Sequence, residues 1–312
     1  MKSKKFIVTG GYGFIGSHLV EFLVSVGAEV IVIDNLLTGK KENLSNSNNI
    51  KVIIDSVENI NFSKFGKIDA VFHLAAQASV PISIKEISNS SSINIISSLR
   101  VIEFCNKYSI PLIYASSSAV YGNIKHGEEE GELQLLSPYA VDKYALEKYV
   151  EVCKQTHNLR SFGLRLYNVY GPRQDPSSPY SGVISIFLKK IINKEKITIN
   201  GGYQTRDFIY VTDIVKAFIS AYNKICDEKI GISLVSNVLT GTSISIDELV
   251  LKFGEILDKK FHKEYAKLHP SDPEISSGST IKMNKLLNLK NLKILDDGLR
   301  ETINWYIINH EK

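Results

Sequence analysis

The stretch from Lys5 to Asp34 restricts the fold of this chain more than any other. Lys5-Phe6-Ile7-Val8-Thr9 reads as a short buried strand. Gly10-Gly11-Tyr12-Gly13-Phe14-Ile15-Gly16 follows, and Ser17 to Val26 then carries apolar residues at helical spacing. Glu29 to Ile33 reads as the next strand and ends at Asp34. Gly10, Gly13 and Gly16 are spaced GxxGxxG rather than GxGxxG. The physical needs are the same: a tight turn, backbone close to a pyrophosphate, and a helix packed against its strand with its N-terminus toward the phosphates. Asp34 falls where an acid binds the adenosine ribose hydroxyls. An acid there favours NAD over NADP, because a 2′-phosphate would meet like charge. Phe14, Ile15 and Asn35 flank the turn and the acid and are read with them as cofactor contacts.

The alternation continues. Lys51 to Ile54 is a predicted strand ending in Asp55-Ser56, read as contacts for the adenine. Asp69 to Leu74 is another; it runs into Ala75-Ala76, small residues that let backbone lie against a cofactor. A long helix is predicted over Ser91–Lys107, a strand over Pro111–Ala115, a helix over Ser137–Thr156 and a strand over Arg160–Tyr167. Strands alternating with helices call for an α/β fold, a doubly wound parallel sheet covered on both faces. Ligands sit at the carboxyl ends of such strands, where the glycine turn, Asp34, Asp55, Ala75-Ala76 and Ser116-Ser117-Ser118 all fall. After Tyr170-Gly171-Pro172-Arg173 the rhythm changes to a smaller lobe interleaved with returns to the first. The expected division is 1–167 plus roughly 203–230 for the cofactor domain, and 168–202 plus 231–312 for the substrate lobe. Ser245-Ile246-Asp247-Glu248 opens a helix of that lobe as a capping box.

One pair of residues gives this frame its chemistry. Tyr139 and Lys143 are four apart, which on a helix places both on one face. A cation beside a phenol favours the phenolate, so Tyr139 reads as a base acting below its ordinary pKa of about 10. Ser117 can hydrogen-bond the same oxygen.

Composition narrows the alternatives. In 312 residues, 44% hydrophobic and 22% charged with a net charge of +4, the basic residues are spread along the chain. Nothing forms the basic stripe that nucleic acid would require, and no window is apolar for long enough to span a bilayer. Cys105, Cys153 and Cys226 are odd in number and far apart, as expected of reduced thiols in a cytoplasmic protein. The histidines show no ligand spacing, so no metal site is predicted. The run Glu128-Glu129-Glu130-Gly131-Glu132 reads as a solvated loop. His73 and Tyr121 read as structural.

The glycine turn, His73-Leu74-Ala75-Ala76, Ser117 with Tyr139 and Lys143, Tyr167-Asn168-Val169-Tyr170-Gly171-Pro172, Thr205-Arg206-Asp207-Phe208-Ile209-Tyr210-Val211 and the terminal Gly298–Tyr306 helix together resemble the extended short-chain dehydrogenase/reductases that act on nucleotide sugars. The resemblance covers nearly the whole chain. It implies a Rossmann-type domain with a smaller substrate-binding lobe, tightly held NAD contacted also by Tyr167, and a homodimer built on a four-helix interface from Ser91–Lys107 and Ser137–Thr156. Dehydratases of this family carry an Asp-Glu pair directly after the catalytic hydroxyl residue. Here Ser118 and Ala119 stand there, so the resemblance points to 4-epimerases. Ala78–Ile84, with Ser79, and Arg173-Gln174-Asp175-Pro176 followed by Pro179–Ile184, with Val183, resemble the UDP-N-acetylglucosamine branch. Aligning Asp272 with the family's acid places Ser276 at a gate beside the sugar's 2-position, where a serine leaves room for an N-acetyl group. His269 stands where the family has a diphosphate-binding Arg; either it takes that role without the forked contact, or Lys267 does. Arg206 is the expected diphosphate ligand.

The implied reaction is 4-epimerisation of a UDP-hexose or UDP-N-acetylhexosamine through a 4-keto sugar. Ser117, Tyr139 and Lys143 are its catalytic residues. Ser118 reads as a turn residue within reach of substrate, and Asn168 equally as a sugar ligand or a turn residue. A 4-reductase, a UDP-glucuronate epimerase or decarboxylase, and a non-catalytic NAD-binding protein are the alternatives.

Overall fold

The computed structural model describes residues 1–312 except 177, 179–180, 269–271 and 311–312. From the N-terminus come β1 (Lys5–Thr9), α1 (Phe14–Ser25), β2 (Glu29–Asp34), β3 (Ile50–Ile54), β4 (Ala70–His73), α2 (Val80–Lys85), α3 (Ile87–Ser91), α4 (Ser97–Tyr108), β5 (Leu112–Ser117), α5 (Pro138–His157) and β6 (Arg160–Leu166). Then follow β7 (Asn168–Tyr170), α6 (Val183–Ile192), β8 (Ile197–Asn200), β9 (Thr205–Tyr210), α7 (Val211–Ile225), β10 (Ile232–Val238), β11 (Ser243–Ser245), α8 (Ile246–Leu257), β12 (Lys263–Ala266), β13 (Ile275–Ser276), α9 (Ile281–Leu287) and α10 (Leu295–His310).

Seven strands form the main sheet in the order β10-β6-β5-β4-β1-β2-β3. Every pairing in it is parallel. The strands are apolar at successive positions because both faces are covered. Phe6, Val8, Val30 and Val32 pack on one side with Leu19, Val20 and Leu23 of α1 and Phe218 and Tyr222 of α7. Ile7, Ile31 and Ile33 pack on the other with Val101, Ile102 and Cys105 of α4 and Leu146 and Val150 of α5. Each such fully buried side chain contributes roughly 1.5–3 kcal/mol. A smaller lobe is built on the sheet β11-β9-β13, with β7 paired to β9, and on the pair β12-β8. Its core gathers Phe187 and Leu188 of α6, Leu249 and Phe253 of α8, and Leu299, Ile303 and Tyr306 of α10.

Three segments cross the expected division. Ile232–Val238, expected in the substrate lobe, is the seventh strand of the main sheet, parallel to β6. Met283 and Leu287 of α9 pack into the main-sheet core with it. Thr205–Tyr210, expected with the cofactor domain, pairs with β7, β11 and β13 instead. Strand patterns record burial and not partner, so periodicity alone did not assign these segments to a sheet.

The predicted Ser91–Lys107 helix is also interrupted, by a π turn over Ser92–Ile96. Buried Asn94 accounts for it. Its side chain accepts from Gln77 N (2.8 Å) and donates to Gln77 O (3.1 Å) and to Asp142 Oδ2 (3.0 Å). A widened turn is a common way to hold such an inserted side chain. Among the described residues no helix is long and apolar enough to cross a membrane, and no cluster of His, Cys, Asp and Glu could hold a metal ion.

Candidate active site

The carboxyl ends of the parallel strands open into a cleft of about 320 Å³. Its floor is backbone. Gly10 has φ +71°, and a Cβ there would stand 2.8 Å from Ala75 N. A Cβ on Gly16 would overlap the Gly10 carbonyl. Gly13 is the N-cap of α1 and offers no side-chain cap, so the first amides of the helix are left for a ligand. Gly10, Gly13, Phe14, Ile15, Gly16, Leu74, Ala76, Ser117, Tyr139, Lys143 and Tyr167, all named as candidate site residues from the sequence, line the cleft. Thr38, Lys40 and Asn43 also line it, and no spacing announced them. The Tyr12 carbonyl draws their loop to the glycine turn by accepting from Lys40 N (3.1 Å) and Asn43 Nδ2 (2.8 Å).

Asp34, Asn35, Asp55, Ser56 and Ala75 stand at the strand ends outside this cleft. The Asp34 carboxylate accepts from Tyr12 N (2.9 Å) and Leu36 N (2.8 Å). Burial raises its pKa, and those amide bonds partly offset the rise. Asn35 Nδ2 donates to Ser56 Oγ (3.0 Å), and Asp55 Oδ1 accepts from Ser56 N (2.8 Å). Beneath the floor, Thr9 Oγ1 accepts from the Leu74 and Ala75 amides, so its own proton goes to His73 Nδ1 at 2.8 Å. His73 Nε2–H then faces Ser98 Oγ at 3.1 Å. Burial holds this imidazole neutral, its pKa lowered to about 3.

A second cleft, of about 610 Å³, lies between the main sheet and the small lobe. Ser118, Asn168, Val183, Arg206, Asp272 and Ser276 line it, joined by Gln174 of the Arg173–Pro176 motif and by Asn200 and Gln204, which the sequence did not single out. Ser79 is buried next to it; its hydroxyl caps α2 by accepting from Ile82 N (3.3 Å). His269 lies outside the described residues. Arg206 is buried, donates to Thr205 O (2.8 Å) and is ion-paired with Asp272. Asn168 opens β7 rather than a turn, and its Nδ2 donates to Asp207 O (3.0 Å) while the side chain borders the cleft.

Ser117 and Tyr139 line both clefts at once. Ser137 caps α5 by accepting from Ala140 N (3.1 Å), and Pro138 occupies its first turn, so Tyr139 projects from the helix start. The Ser117 side chain stands close enough to that of Tyr139 to favour its ionised form. Lys143 Nζ donates to Ala115 O (2.9 Å) and lies 5.7 Å from the Tyr139 ring centre. Spacing alone predicts that Lys143 lowers the Tyr139 pKa. Burial dominates instead: it pushes Tyr139 up to about 12, with the Ser117 side chain opposing, and Lys143 down to about 8, with Asp142 opposing. Spacing reveals a neighbouring charge but not the loss of water, which here is the larger effect.

Residues 6–233 match the NAD dependent epimerase/dehydratase family. The chain belongs to that family. It is an enzyme of the epimerase/dehydratase class, and NAD is its cofactor. The chain is 37% identical to a UDP-N-acetylglucosamine 4-epimerase from Methanobrevibacter ruminantium, solved in complex with UDP-N-acetylmuramic acid; the match covers 99% of each chain with a TM-score of 0.92. It is 34% identical to a UDP-glucose 4-epimerase from Thermotoga maritima, solved with UDP-glucose, over 98% of this chain and 99% of that one, TM-score 0.91. A UDP-glucuronate 4-epimerase from Thermodesulfobacterium geofontis is 30% identical over 96% of this chain and 95% of its own.

Proposed function

We propose that this epimerase-family enzyme interconverts UDP-N-acetylglucosamine and UDP-N-acetylgalactosamine, and also UDP-glucose and UDP-galactose, by reversible oxidation at the sugar's C4. The observation that carries the reading is the Ser117–Tyr139 pair, which borders the cofactor cleft and the larger cleft together. The small-residue floor, the uncapped first turn of α1 and Lys143 fit a dinucleotide. When bound, NAD supplies the acceptor, and later the donor, of the hydride exchanged at C4. Tyr139 takes the proton of the 4-hydroxyl and returns it after the 4-keto sugar has turned over. Ser117 hydrogen-bonds the same oxygen and orients it. Lys143, anchored to the Ala115 carbonyl, keeps a cation behind Tyr139 below about pH 8. Ser118 and Ala119, on the cleft wall beside Ser117, carry no acid for dehydration.

Arg206 supports a nucleotide diphosphate at the far end, and Ser276 leaves room for an N-acetyl group. Among the described residues lining this cleft, Arg206 is the one cation, and Asp272 already pairs with it. That favours a neutral sugar over a glucuronate. The proposed enzyme is a cytoplasmic homodimer; free Cys105, Cys153 and Cys226 and the exposed apolar face of Val141, Tyr149 and Val152 on α5 support this.

The test is direct. Purified protein should yield UDP-N-acetylgalactosamine from UDP-N-acetylglucosamine with no net NADH, and its denatured extract should contain NAD. Protein that carries NAD and leaves both UDP-N-acetylglucosamine and UDP-glucose unchanged would defeat the reading.

A further inference from the structure

The acidic run Glu128–Glu132 is not simply a solvated loop. Glu129 turns inward, and its carboxylate accepts from Asn237 N at 2.8 Å, at the end of β10. The Asn237 side chain is fully buried and forms a hub. Its Oδ1 accepts from Tyr121 Oη (2.6 Å), and its Nδ2 donates to Gly127 O (3.0 Å). Arg165 donates to Tyr121 Oη (2.9 Å) and is held by a forked contact to Glu147, which also accepts from Ser116 Oγ (2.5 Å). Ser116 is the residue before Ser117.

Gly127 in turn holds the chain beyond Ser276. Its N–H donates to Ser277 O (2.9 Å) and its carbonyl accepts from Ser279 N (2.9 Å), which brackets Gly278. Ser277 O also accepts from Tyr167 Oη (3.1 Å), and Ser277 Oγ donates to Lys125 O (2.8 Å). A Cβ on Gly278 would overlap the Tyr167 hydroxyl, and one on Gly127 would stand 2.6 Å from the Tyr121 ring, so the two backbones lie directly on the two rings. β13 itself pairs with β9 over two residues only. That is too short a ladder to fix Ser276 without help.

We propose that Glu129 and Asn237 are positioning residues for sugar selection: through Gly127 they tie Ser276–Ser279 to the strand ends that carry Ser117, and so set the width of the cleft beside the reacting sugar. Neither residue touches the reacting atoms. The width is fixed from the main sheet, across the cleft, as much as from the lobe to which β13 belongs. This rests on the assignment of the cleft to a nucleotide sugar.

The experiment compares kcat and KM for UDP-N-acetylglucosamine and UDP-glucose in the NAD-loaded protein and its variants. In Glu129→Ala, KM for UDP-N-acetylglucosamine should rise about tenfold with kcat within about twofold, because ångström-scale misplacement of a wall weakens positioning. The ratio of the two kcat/KM values should move by a similar factor toward UDP-glucose. Glu129→Gln keeps the acceptor oxygen and should restore the ratio, which a merely destabilised fold would not do. Glu132→Gln, in the exposed part of the run, should leave every constant unchanged. If Glu129→Ala gives no folded protein, Ser277→Ala loosens the same segment through its tie to Lys125 and is read in the same way. An active parent whose ratio stays within about twofold in the loosened variant overturns the proposal alone. A parent inactive on both sugars overturns the substrate assignment and the proposal with it.

Discussion

The two clefts are built differently. The smaller cleft is floored by backbone at the ends of parallel strands: Gly10, Gly13 and Gly16 after β1, Leu74 and Ala76 after β4, and Ser117 at the end of β5. The larger cleft is walled by side chains from pieces scattered along the chain, among them Ser118, Asn168, Val183, Arg206 and Ser276. A backbone floor is intolerant of any side chain but tolerant of sequence around it. A side-chain wall can be re-cut one residue at a time. That difference matches a family whose members share NAD and differ in sugar.

Substitutions should separate the clefts, and the largest effect is expected where they meet. Tyr139→Phe should lower kcat by roughly 10³-fold with NAD content unchanged, since positioned acid–base groups contribute at about that level. A kcat within tenfold of the parent would remove Tyr139 from its role and leave the seam between clefts without a base. Gly16→Ala tests the backbone floor alone. Its methyl group would strike the Gly10 carbonyl, so chemical denaturation should show a loss of about 1–3 kcal/mol, and NAD should be absent from the purified protein. Retained NAD would mean that the turn is softer than its packing indicates. For the wall, Arg206→Met should raise KM for the nucleotide sugar roughly tenfold or more with NAD content intact, as expected on losing a charged hydrogen bond. Equal losses of NAD and sugar binding would collapse the distinction between the two clefts.

The smallest expected effect is one of pH, beneath the cofactor floor. His73 has its pKa lowered from 6.5 to about 3 by burial. The unfolded chain therefore binds a proton below pH 6.5 that the folded chain refuses until about pH 3. The stability this histidine permits is fully present above pH 6.5 and lost as pH falls through that window. In His73→Gln the thermal midpoint should fall less steeply between pH 6.5 and 3 than in the parent. Parallel curves would show that His73 does not set the acid limit.

Much of the molecule was legible in advance, and the failures share a cause. The β1–α1–β2 unit was readable because its instructions are local: the glycines, the helix spacing and the acid lie within thirty-odd positions. The capping box at Ser245 is present, with Glu248 N donating to Ser245 Oγ (3.1 Å) and Ser245 N to Glu248 Oε2 (2.7 Å). Both of its partners lie within one turn. Most of what escaped was a partner chosen at long range. Ile232–Val238 fell to the substrate lobe by its place in the chain, yet it is β10 and joins the main sheet beside β6. Glu129 reads as one acid in a charged run, yet it holds Asn237, more than a hundred positions away.

By itself, the sequence determined the strand–turn–helix order of the first unit, the glycine positions, and that Ser117, Tyr139 and Lys143 would be candidates for one site. Chain neighbours and helical spacing are enough to encode these. Only the tertiary structure decided how those groups behave and what they face. Burial raises the Tyr139 pKa and lowers that of Lys143, opposite to what a neighbouring charge alone would do to the tyrosine. The larger cleft exists only once the ends of β5, β9 and β13 and the Tyr121–Ile124 segment have been brought together. Desolvation and cleft shape depend on every element packed around a site, and no local pattern contains that sum.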